Sequence, residues 1–124
     1  MQERRQFVRI NARFPVAYKA PQGEGHGWSL DISAEGIGLV IKTRVEYGAT
    51  MELRIGLPDS QKPLDVEARV LWQVEYPQAV EDGSRNFRTG LMFTHVSPED
   101  RDRLNGFITA FLKGLTPDVQ INKG

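Results

Sequence analysis

The chain contains no cysteine and only two histidines in 124 residues. Disulfide staples and cysteine-ligated zinc are therefore excluded. His26 and His95 are isolated from one another in sequence, and no metal site is expected from them. No apolar run approaches the ~20 residues of a membrane-spanning helix, and no apolar segment of signal-peptide type opens the chain. No membrane insertion and a cytoplasmic location are expected. Excess charge is missing too: 16 Lys and Arg face 16 Asp and Glu. A generally basic surface for long nucleic acid is thereby ruled out. What is present is ordinary for a folded protein, with 40% hydrophobic and 26% charged residues. The length is that of one domain with a modest core.

Strict alternation runs through the body of the chain. Phe14, Val16, Tyr18 and Ala20 share one strand face, and Trp28, Leu30 and Ile32 share the next. Ile37, Leu39 and Ile41 follow, then Met51, Leu53, Ile55 and Leu57. Val66, Ala68, Val70, Trp72 and Val74 form a fifth set, and Phe87, Thr89, Leu91 and Phe93 a sixth. Period-two runs separated by Gly, Pro, Asp and Ser clusters predict six antiparallel strands. One face of each is apolar, so the sheet must close on itself or be covered. Trp28 and Trp72 are placed in the core by this reading, with Ser29, Asp31 and Ser33 on the outer face. Ser97, Pro98, Glu99 and Asp100 then form a helix start. Leu104, Phe107, Ile108, Phe111, Leu112 and Leu115 make one apolar helical stripe, stopped by Gly114 and Pro117. That helix either plugs an open barrel end or presents a dimerisation face. The expected organisation is an N-terminal arm over 1–13, flexible in itself, a barrel with its helix over 14–115, and a tail over 116–124.

Net neutrality hides a local imbalance. Arg4, Arg5, Arg9 and Arg13 are opposed in the first 13 residues by Glu3 alone. Arginine provides planar bidentate donors for phosphate and for the O6/N7 edge of guanine. Downstream, Asp31-Ile32-Ser33-Ala34-Glu35-Gly36 offers a carboxylate and a hydroxyl beside a glycine turn. A phosphorylated guanine compound requires donors and acceptors of these kinds. Each motif alone has a plainer explanation. Charged arms are often only solvated, and Asp, Ser and Gly commonly form turns without any ligand. It is their combination that points to binding.

Arg4-Arg5-x-x-x-Arg9 followed by Asp31-x-Ser33-x-x-Gly36 resembles the paired signature of the PilZ domain family, bacterial receptors for cyclic di-GMP. Ala68-Arg69-Val70-Leu71-Trp72 and Gly90-Leu91-Met92-Phe93 resemble its fifth and sixth strands. The resemblance implies a mostly β fold, a six-stranded antiparallel barrel with a C-terminal helix. It also implies that Arg5 and Arg9 bind phosphate and a guanine edge, and that Asp31 accepts from guanine N–H groups. Ser33 would add a hydroxyl contact and Gly36 would hold the turn open. Arg4 before the motif would favour two stacked ligand molecules per protomer. Ligand binding would order the arm and offer a surface to a downstream protein. Beyond this ligand no cofactor is expected.

No catalytic group stands out. Ser29 has no evident base and acid partner for a nucleophilic triad, and the chain is not expected to be an enzyme. Two rivals remain at this level. A nucleotide-independent adaptor of the same fold would use the barrel and helix for protein contact. A single-strand nucleic-acid binder would need exposed aromatics interleaved with basic residues.

Overall fold

The computed structural model describes residues 8–58, 62–75 and 85–114. Six strands precede one helix: β1 (Pro15–Ala20), β2 (Gly23–Ile32), β3 (Gly36–Ile41), β4 (Thr50–Ile55), β5 (Leu64–Glu75), β6 (Phe87–His95) and α1 (Pro98–Leu112). The strands close into an antiparallel barrel in the order β1-β2-β3-β6-β5-β4: their number and antiparallel pairing are those expected from alternation, and the closure is that implied by the resemblance. Closure leaves no unpaired edge. Inward residues such as Val16, Ile32, Leu39, Ile55 and Val70 are fully buried.

Two long strands turn the corners. The first half of β2 pairs with β1 and its second half with β3. Likewise β5 pairs first with β4 and then with β6. Each carries an irregularity at the bend, between Ser29 and Asp31 in β2 and between Val70 and Trp72 in β5. A β-bulge adds one residue to one strand and shifts the in/out phase beyond it.

That shift corrects the expected faces. Trp28 and Trp72 are not core residues: they are 53% and 45% exposed. Val74 is also exposed, whereas Ser29 and Ser33 are buried. Ser29 compensates for burial by accepting the Phe14 N–H at 3.0 Å and donating to the Ala12 carbonyl at 2.5 Å. Gln73 takes the inward place between Trp72 and Val74. Its amide donates to Thr43 O at 3.0 Å and Thr89 Oγ1 at 2.9 Å, and its oxygen accepts from Val45 N–H at 2.9 Å. Held by three partners, this half-buried amide leaves no polar group unpaired against the core.

α1 starts as its sequence indicates. Ser97 is the N-cap, its hydroxyl accepting the Asp100 N–H at 3.1 Å, and Pro98 occupies the first turn. Leu104, Phe107 and Ile108 are buried. Phe107 meets Phe14 edge to face, with centroids 6.0 Å apart. The helix thus packs Leu104, Phe107, Ile108 and Phe111 of its stripe on the barrel core, whereas Leu112 is exposed and Leu115 lies outside the described residues. Beyond Lys113 the chain leaves the helix at Gly114, whose φ of 72° suits glycine. The tail expected over 116–124 lies outside the described residues. So does most of the N-terminal arm, yet Ile10 and Ala12 are buried and the core takes in this part of it. Among the described residues no helix is long and apolar enough to cross a membrane.

Candidate ligand-binding site

The end of the arm is fastened to the end of β2. Ile10 and Ile32 exchange backbone hydrogen bonds of 2.9 Å in both directions. This antiparallel bridge brings Arg9 beside Ser33. Arg9 Nη1 donates to Asp31 Oδ1 at 2.6 Å, and Nη2 lies 3.5 Å from Ser33 Oγ. Both side chains of the ion pair are partly exposed, 46% for Arg9 and 30% for Asp31. Solvent screening limits what such a pair adds to stability, and the guanidinium and carboxylate remain open to a ligand.

Ser33 is buried, and its hydroxyl also accepts the Glu35 N–H at 3.2 Å. The Ser33 N–H donates to Gly36 O at 2.9 Å, closing the turn. Gly36 is required by crowding: a Cβ there would come within 2.4 Å of the Leu91 carbonyl oxygen. Three of the six residues expected to bind ligand, Arg9, Asp31 and Ser33, therefore meet directly, and Gly36 closes their turn. Arg4 and Arg5 lie outside the described residues.

The turn borders a flat lane on the outer barrel face. Register places Asp31 opposite Gly38, Gly38 opposite Gly90, and Gly90 opposite Trp72. Four strands thus contribute one row, acidic at one end, aromatic at the other and without side chains between. The flanking groups lean into that space. A Cβ on Gly38 would lie 2.8 Å from Asp31 Oδ1, and one on Gly90 would lie 2.4 Å from the Trp72 indole. The indole therefore lies against the Gly90 backbone with its outer face available for stacking. Trp72 is a candidate site residue that sequence reasoning missed by placing it in the core. Its signal was present in the glycine that faces it across the sheet, but the bulge that turns it outward was invisible.

These features define a class: a small closed barrel with an arginine-bearing arm and a carboxylate-glycine-tryptophan row on its outer face. The sequence matches the PilZ domain over residues 3–110, and the chain belongs to that family. Among solved structures it is similar to the Bacillus subtilis inhibitor of motility MotI/DgrA, with TM-score 0.71 and 26% identity, covering 90% of this chain and 53% of that one. The PilZ domain of Escherichia coli YcgR with c-di-GMP gives TM-score 0.67 and 18% identity, covering 90% and 94%. The K. pneumonia MrkH–c-di-GMP complex gives 0.68 and 14%, covering 91% and 54%. The chain thus spans about half the length of MotI and MrkH. No curated protein matches it.

Proposed function

We propose that this protein is a cyclic di-GMP receptor. The observation that carries this reading is the convergence of Arg9, Asp31 and Ser33 beside the Gly38–Gly90 lane. Family membership and the c-di-GMP complexes of YcgR and MrkH support it. In this reading one guanine stacks on Trp72 and directs its N–H edge to Asp31, whose carboxylate has lone pairs beyond the one Arg9 uses. Arg9 and Arg5 take phosphate oxygens and the Hoogsteen edge, and Arg4 lies against the base of a second, stacked molecule. Binding orders the arm over the barrel. The output is a changed surface for a downstream protein, not a reaction.

Isothermal calorimetry with cyclic di-GMP tests this. Saturable binding that is lost in Asp31→Ala is the expected result. No binding by the wild-type protein at saturating nucleotide overturns it, and leaves the nucleotide-independent adaptor as the reading.

A further inference from the structure

A second row runs beside the glycine lane on the same outer face. Trp28 is opposite Val40, Val40 opposite Arg88, and Arg88 opposite Val74. Two residues along a strand separate neighbouring rows on one face, about 6.8 Å. Trp28 and Val74 are largely exposed, and Arg88 is exposed between the two valines. Among the described residues Arg88 has no ion-pair partner, and it is the one cation in this row. Its aliphatic stem is flanked by Val40 and Val74 on the adjacent strands, an arrangement that favours projection of the head group.

The position of Arg88 relative to the arm gives it a use. The Ile10–Ile32 bridge delivers the arm at the Ser33–Gly36 end of the lane. Arg88 stands on the opposite side, two residues from Gly90 along β6. A cyclic dinucleotide carries its two phosphates on opposite sides of one ring. A ligand whose base rests on the lane offers one phosphate to the arm and the other away from it. We infer that Arg88 binds the phosphate that the arm does not reach, so that the ligand is held by cations from both sides. This inference rests on the cyclic di-GMP reading above. It assigns a phosphate contact to the sheet itself, outside both sequence motifs.

The test is calorimetry with cyclic di-GMP across a salt series, on the full chain and three variants. Arg88→Met keeps the stem and removes the charge. It is expected to weaken binding about tenfold, or ~1.4 kcal/mol, and to flatten the salt dependence, because one phosphate contact is lost. Arg88→Lys should recover part of the loss, since lysine retains charge without the bidentate fork. Arg101→Met, on the exposed side of α1, controls for general charge and should bind as wild type. Arg88→Met with wild-type affinity and an unchanged salt slope overturns the inference while the receptor reading stands. An equal loss in Arg101→Met also overturns it, as the effect would then be long-range charge. Failure of the wild type to bind removes both.

Discussion

At the scale of single residues, the proposed function gives Arg9 and Asp31 a second task beside the ion pair they form, and substitutions separate the two. Arg9 joins the arm to the Asp31–Ser33 corner through side-chain contacts, while Ile10 is fixed independently by two backbone bonds and burial. Arg9→Ala should therefore leave the melting temperature of the free protein within a few degrees of wild type, since a half-exposed ion pair contributes about 0–1 kcal/mol. The same change should weaken cyclic di-GMP by on the order of 30-fold or more, the cost of leaving a bound phosphate or base edge unpaired being about 2–5 kcal/mol. Thermal melts and calorimetry on one preparation check both halves. Asp31→Asn should be milder than Asp31→Ala, because an amide oxygen still accepts from guanine and alanine does not. Equal affinity for wild type and Asp31→Ala would make Asp31 a turn former and no more.

At the scale of elements, the number of strands, their order of appearance and the helix were legible in the sequence, because alternation and an apolar stripe report burial directly. The faces of β2 and β5 were not legible throughout. Counting strictly by twos carries Trp28, Leu30 and Ile32 inward together, yet only Ile32 is buried. Leu30 has no partner in β3, and removing it from the count restores alternation through Gly27, Ser29 and Ile32. Nothing in Trp-Ser-Leu-Asp marks Leu30 as the extra residue; tertiary closure of the barrel decides it. The motif residues were legible as chemistry, while the Trp72 contribution depended on the second bulge. Deleting Leu30 is an informative experiment, since it preserves every neighbour's face and removes only the corner. We expect the deletion to fold less stably by at least ~1 kcal/mol, a fall in melting temperature of about 3–6 °C. A melting temperature equal to wild type would show that β2 bends without its bulge.

At the scale of the whole molecule, ligand number follows from how many charges the protein can oppose. Two stacked cyclic di-GMP molecules bring four phosphates together, which repel unless cations lie among them. In the proposed arrangement the arm's Arg4, Arg5 and Arg9 would provide three, and the planar Arg4 guanidinium would also stack on a base. Two molecules per protomer are expected for the wild type, and fewer for Arg4→Leu, which keeps bulk but loses charge and stacking plane. A calorimetric stoichiometry of one for the wild type at saturating ligand and low salt would refute this. The two tryptophans of the chain have a further consequence. Both stand half out of the protein on the same outer face, Trp72 in the lane and Trp28 one row away, and neither is in the core. The folded protein should therefore emit with the red-shifted fluorescence of wetted indole, and denaturant should move that maximum little. Guanine stacking on Trp72 should instead quench it, leaving Trp28 as the residual signal. Intrinsic emission of this barrel should then read occupancy more than folding, and Trp72→Phe should abolish the quenching.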